Sequence, residues 1–369
     1  MIILPDNDEP GRRHADDVSR SCRKAGIPDV RIVTLPGVPE KGDVSDWIGA
    51  GHTVDEIVAL AEAAGKETAS DARDSTPGAG RRLKLTAASN ILVRPVRWLW
   101  RERLPLGVLA LLAGRERIGK SILAYTIAAT ITRGELEGAF TGAARSVIVV
   151  ATEDSWEHTI VPRLMAAGAD LTKVYRVDVT TADLGQAELS VPRDLPGLEA
   201  SVKEVQAAAI ILDPLMSRLD VQLDTHKDGE TRRALEPLVA LADRTGLTVL
   251  GLIHVNKSGT SDPLTSIMGS RAFAAVARSV LFVMADPDHE QTRLLGTPKN
   301  NLGRSDMPTL KYTITGCTVA DTPEGPVCTG KLEWTGESDR SIRDVMQDTA
   351  SDGAGAGTHC EDARARSRS

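Results

Sequence analysis

Five apolar runs dominate the pattern of this chain, at residues 108–113, 146–151, 208–212, 248–253 and 279–284. None alternates with polar positions, which is the pattern of strands buried on both faces. The stretches between them are longer, and the one opening at Ile122 reads as a helix. Strand and helix in turn predict an α/β fold, with a parallel sheet covered by helices on both faces. Residues 292–298, 310–316 and 329–334 read as further strands that extend the sheet. Upstream, residues 2–4 and 30–34 predict two short strands, and 14–25 and 54–64 two helices. They make a small α/β piece over residues 1–65. Residues 66–88 are rich in Ser, Thr, Gly, Asp and Arg and read as a flexible linker. The sheet-bearing domain is placed at 89–335. From 336 to 369 the chain turns polar and closes in Gly-Ala and Arg-Ser repeats, so a disordered tail is expected.

Composition narrows the class. Apolar residues make up 41% of the chain but aromatics only 3%, so the core must be largely aliphatic. No uncharged apolar run is long enough to span a bilayer, and no membrane contact is expected. The N-terminus lacks the basic and apolar regions of a signal peptide. The four cysteines form no CxxC pair. Reduced thiols and a cytoplasmic location are therefore expected. A net charge of −7 argues against a globally basic nucleic-acid binder and leaves room for local basic loops.

The chemistry begins after the first of the five runs. Gly114, Arg115, Glu116, Arg117, Ile118, Gly119, Lys120 and Ser121 fit G-x-x-x-x-G-K-[ST], with Ile122 opening the helix behind them. Strand, glycine-bounded loop and helix form the context of a phosphate-binding loop. Its N–H groups and the helix N-terminus face the anion. Lys120 can reach the β and γ phosphates, and Ser121 can ligate Mg²⁺, so ATP and Mg²⁺ are the expected cofactors. Arg117 stands where many such loops carry glycine. If that position needs a positive φ, a side chain there costs about 1–2 kcal/mol.

The other strand tips supply polar groups where ligands of parallel sheets gather. Glu153 follows the second run and can orient and deprotonate the attacking water. Its neighbour Asp154 suits a helix N-cap. Asp213 closes the third run, and the Mg²⁺ shell would partner its carboxylate. His254 closes the fourth run, where it either senses the γ-phosphate or caps a loop. Trp156 either fills a gap or stacks on a base. The polar connections at 216–230 and 257–264 are candidate nucleic-acid loops or ordinary solvated loops.

This constellation resembles the RecA-like ATPases, in particular the plasmid RepA-like and DnaB-like replicative helicase group. The resemblance spans roughly residues 90–335. It rests on Trp98-Leu-Trp100, the phosphate loop, Thr152-Glu-Asp154, Ile211-Leu-Asp213, His254-Val-Asn-Lys257, Gly269-Ser270 and Lys299-Asn-Asn-Leu-Gly303. It implies a RecA-like sheet core with Glu153 as catalytic base, Asp213 as the Walker B acid and His254 as sensor. It also implies single-stranded DNA as partner, other replication proteins, and a homo-oligomeric ring, with a hexamer as one candidate. Lys299 would act on the neighbour's nucleotide, although Asn301 stands where DnaB-like chains carry Arg. The expected activity is ATP hydrolysis driving a helicase of the primase-helicase type. The alternatives are an ATP-switched DNA-binding or regulatory ATPase without unwinding, and a truncated inactive fragment.

The N-terminal piece carries Asp6 and Asp8 after its first strand, with Asp43 and Asp46 further on. Paired carboxylates can share Mg²⁺ weakly, while Asn, Asp, Pro and Gly equally make turns. The order resembles the second half of a Toprim domain. That fold uses an earlier strand with a catalytic Glu, so a truncated remnant is expected.

Overall fold

Residues 1–25, 27, 29–39, 41–67, 85–181, 185–219, 227–256, 261–304 and 306–349 are described by a computed structural model. The chain divides into two units between Val93 and Arg94.

In the first unit β1 (Ile2–Ile3) and β2 (Arg31–Ile32) pair in parallel, with α1 (Glu9–Lys24) between them in sequence. Helices α2 (Val44–Gly49) and α3 (Val54–Glu67) follow. Leu35, Trp47 and Ile57 form a small core. Helix α1 starts well before the predicted residue 14. The Gly11 N–H donates to Asp8 Oδ1 at 2.7 Å, so Asp8 caps the helix, and Pro10 is tolerated in its first turn. The expected linker at 66–88 is corrected at both ends. Residues 66–67 belong to α3, and Ala88–Asn90 form a 3₁₀ turn. Residues 68–84 lie outside the described residues.

The second unit opens with an antiparallel pair, β3 (Trp98–Trp100) and β4 (Leu104–Pro105). The first apolar run is β5 (Val108–Gly114), followed by α4 (Lys120–Arg133) and β6 (Ser146–Ala151). After α5 (Val161–Ala166) come the edge strand β7 (Val174–Arg176) and an antiparallel pair, β8 (Val179–Thr181) and β9 (Gly185–Ala187). Then α6 (Leu195–Val205), β10 (Ala207–Asp213), α7 (Asp228–Thr245), β11 (Thr248–His254), α8 (Ala272–Val276) and β12 (Ser279–Ala285) alternate. The chain finishes the sheet with β13 (Thr292–Asn300), β14 (Thr309–Thr322) and β15 (Gly325–Ser338). The nine strands lie in the order β15-β14-β13-β12-β5-β11-β10-β6-β7. Strands β12 to β7 in that order are parallel, and β13, β14 and β15 add on antiparallel.

The unbroken apolar runs are explained by the two cores. Leu109, Leu111 and Ala113 of β5 pack on one face with Leu198, Leu235 and Phe273 from the helices α6, α7 and α8. Ala110 and Leu112 pack on the other face with Leu123 and Ile127 of α4 and Leu164 of α5. Each fully buried Leu or Ile contributes about 1.5–3 kcal/mol. A strand with polar residues on either face could not occupy this position.

The disordered tail expected from 336 onward is corrected. Strand β15 runs to Ser338, and residues 342–349 are helical. Ile342 and Val345 are 2% and 1% exposed, with Met346 packed beside them. Their spacing of i, i+3 and i+4 makes an apolar stripe within a polar stretch. Gly296 of β13 leaves the space, since a Cβ there would collide with Ile342. Residues 350–369 lie outside the described residues.

Candidate active site at the carboxyl edge of the sheet

Strand order brings the site together. β11 inserts between β5 and β10, with His254 opposite Gly114. Asp213 at the tip of β10 stands opposite Ala151 at the tip of β6. The phosphate loop, His254, Asp213 and Glu153 therefore share one edge.

The loop's backbone needs its glycines. A Cβ on Gly114 would come within 2.7 Å of the Val283 carbonyl oxygen. Gly119 caps α4 at φ 97°, and a Cβ there would crowd Ile314 of β14. Ile122, half-buried on the same helix, packs beside Gly330. Arg117 does occupy the left-handed region, at φ 59°. The conditional strain read from the sequence is therefore present. Arg115, Glu116 and Arg117 are exposed, and Ile118 is half-buried.

Lys120 is 7% exposed. Its Nζ donates to the carbonyl oxygens of Gly114 at 2.9 Å and Arg115 at 2.8 Å, and lies 3.1 Å from His254 Nδ1. Burial pulls the ammonium down from its ordinary 10.5 to about 8, against the pull of Asp213, Glu116 and Glu153. His254 is also held below its ordinary value, first by burial and then by the Lys120 charge. An ammonium only donates, so Nδ1 accepts and the imidazole proton sits on Nε2. That nitrogen is left as a donor, as a phosphate sensor requires.

Burial pushes the Asp213 carboxyl upward, and a hydrogen bond from Ser121 opposes the rise. Hydroxyl and carboxylate are the hard oxygen donors that Mg²⁺ takes, with phosphates and waters completing its shell. Among the described residues no cluster of three or more His, Cys, Asp or Glu side chains is arranged for a metal. Bound Mg²⁺ would neutralise charge on the phosphate oxygens. Lys120 would exchange its loop carbonyls for phosphate, and the loop N–H groups would orient it.

Glu153 is exposed beside this cluster, and its charge bears on Lys120, Asp213 and His254. Asp154 is engaged by Arg163 at 2.7 Å. Ser155, not Asp154, caps the turn that follows, accepting from the His158 N–H at 3.2 Å. Asp154 and Ser155 are thus engaged locally, beside the exposed Glu153. Trp156 is half-buried against the core and lies 5.9 Å from the Arg176 guanidinium carbon.

Three predicted residues belong to other elements. Lys299 on β13 donates to the carbonyl oxygens of Ala274 at 2.6 Å and Ala275 at 3.2 Å, in the last turn of α8. Within one chain it does not join the Lys120 cluster. Asp6 and Asp8 belong to the first unit, where Asp8 is occupied as a helix cap. Sequence reasoning missed Tyr125. Its hydroxyl is buried near Asp213, and burial, followed by the charges of Asp213 and Asp154, pushes its pKa upward. Its position four residues after Ser121 places it on the same helix face, a signal that was available.

Sheet, loop and strand-tip acids together define a RecA-like P-loop ATPase core. A family model described as an AAA domain matches residues 79–260, a stretch that holds the loop, Glu153, Asp213 and His254. The match supports an AAA-type ATPase that binds nucleotide. No curated protein matches the sequence. Among the described residues no helix is long and apolar enough to cross a membrane.

Proposed function

We propose that this chain is an ATP-hydrolysing motor acting on single-stranded DNA in replication, the helicase part of a primase-helicase type protein working as a homo-oligomeric ring. The observation that carries the ATPase half is the contact of Lys120 with His254 at 3.1 Å, beside Asp213 and Glu153. The DNA half is supported by the resemblance of the strand-tip motifs to replicative helicases. The first unit supports a partial Toprim-like reading through its parallel β1-β2 pair, with Asp6 and Asp8 just beyond β1. The test is ATP hydrolysis with and without single-stranded DNA, followed by displacement of a labelled strand from a forked duplex. Stimulation and displacement are expected. Hydrolysis that ignores DNA refutes the motor.

One observation favours a second reading, an ATP-switched DNA-binding or regulatory ATPase. Lys299 is held by its own chain's α8. DNA binding that follows nucleotide state, without strand displacement, is the outcome that reading expects.

A further inference from the structure

Arg218 has no part in the site described above, yet it is 1% exposed. It ends the 3₁₀ turn Met216–Arg218 just beyond Asp213. Its backbone is fixed from both sides. Its N–H donates to the Leu215 carbonyl at 3.0 Å, and its own carbonyl accepts from the Val191 N–H at 2.8 Å. Leu215 in turn donates to Leu252 of β11 at 3.0 Å. The base of the side chain is therefore tied to the tips of β10 and β11.

The guanidinium reaches across to β6. Nη2 donates to Thr152 Oγ1 at 3.0 Å and to Glu188 Oε2 at 3.0 Å. Nη1 approaches the Leu189 carbonyl oxygen at 3.4 Å, and Nε is buried without a partner. Taking a guanidinium out of water is costly unless every N–H is met. Here the only ionic partner among the described residues, Glu188, is 72% exposed. A staple selected for stability alone would be better satisfied. What this geometry does achieve is a direct link from the Asp213 strand to Thr152, the residue before Glu153.

We propose that Arg218 is a positioning residue that sets Glu153 against the phosphate site by holding the Thr152 hydroxyl. The proposal rests on the reading of Glu153 as the acid that activates water. A carboxylate that must take a proton from a positioned water acts only within narrow geometry, and displacement by about 1 Å can lower a rate by about 10²-fold. Nucleotide binding, which uses Lys120 and the loop N–H groups, does not pass through this link.

The test compares Thr152→Val, Thr152→Ser, Arg218→Lys and the Thr152→Val/Arg218→Lys double variant in the full chain. Steady-state ATP hydrolysis gives kcat and KM, a fluorescent ATP analogue gives affinity, and thermal melting reports folding. Thr152→Val is expected to melt like wild type and bind the analogue as tightly. Its kcat should fall about 10–100-fold. Thr152→Ser, which keeps the hydroxyl, should restore the rate. The double variant should be no slower than the slower single, because the two groups act as one unit. If Arg218→Lys fails to fold, the two Thr152 variants decide alone. A wild-type kcat in Thr152→Val, or losses that multiply in the double variant, overturns the proposal. Glu153→Gln separates the underlying reading. Normal turnover in Glu153→Gln overturns the acid itself, whereas an inactive Glu153→Gln beside a fully active Thr152→Val overturns only the role of Arg218.

Discussion

Replacing Lys120 with Met should abolish nucleotide binding and yet make the nucleotide-free protein more stable at neutral pH. The ammonium is 7% exposed and touches two carbonyl oxygens and an imidazole, none of them anionic. Burial pulls it from 10.5 to about 8. A fall of that size corresponds to roughly 3 kcal/mol of unfavourable charge burial. Methionine leaves two carbonyls unpaired, at about 1 kcal/mol each, so the net gain at pH 7 is about 1 kcal/mol. The sign with pH follows from linkage. Below pH 8 the lysine is protonated in both states and its cost is fully present. Between about 8 and 10.5 the unfolded chain holds the proton that the folded chain has released. Wild-type stability therefore rises relative to the variant. Urea unfolding of both proteins without nucleotide, at pH 7 and pH 10, reads the difference directly. Other titrating groups are common to both proteins and cancel. A stability difference that does not move between the two pH values refutes the reasoning, whatever its sign at pH 7.

Glu153→Gln should keep ATP bound while hydrolysis falls by about 10²–10⁴-fold, read by titration calorimetry beside phosphate release. Arg117→Gly should relieve the left-handed strain, about 1–2 kcal/mol, against about 0.4–1 kcal/mol from a freer unfolded chain. A higher urea midpoint with weaker ATP affinity is expected, and an unchanged affinity would show that the arginine does not face phosphate. Lys299→Ala mixed with Lys120→Ala should recover ATPase activity above either protein alone if the lysine serves a neighbouring subunit. Lysine lacks the bidentate fork of arginine, so the recovery should be modest.

The five central strands were legible because burial on both faces leaves no room for polar alternation. The observed β5, β6, β10, β11 and β12 cover those runs to within a residue at each end. The phosphate loop was legible because its glycines answer local demands, a close carbonyl at Gly114 and a left-handed cap at Gly119. Strand order was not legible. Nothing in the chain states that β11 lies between β5 and β10, yet that placement brings His254 to Lys120. The outer halves of β14 and β15 were missed because they are mostly polar and half-exposed, held by each other rather than by a core. The helix at 342–349 was hidden by averaging, since Ile342, Val345 and Met346 anchor a stretch that is otherwise polar or charged. Arg218 lies on the polar connection at 216–230, where nothing in the sequence marks it as buried. Its burial depends on Thr152 and Glu188, 66 and 30 residues away in sequence.

The site combines two kinds of restraint, and they act on different steps. Lys120 is bound to the loop carbonyls and to His254, so an arriving phosphate must compete for it. This sets affinity. Thr152, Glu153 and Asp154 follow β6, and their positions depend on contacts from outside that strand: Arg163 on Asp154 and Arg218 on Thr152. On the proposed role of Glu153, this sets the geometry of water attack. Arg218 is anchored to the Asp213 side through Leu215 and Leu252. β10, which ends in Asp213, and β6, which leads into Thr152 and Glu153, are paired by their backbone ladder, and Arg218 adds a buried side-chain link just beyond it. Substitutions at the loop should change binding first, and substitutions along the Arg218 link should change turnover first. That division follows from which strand tips each side chain joins.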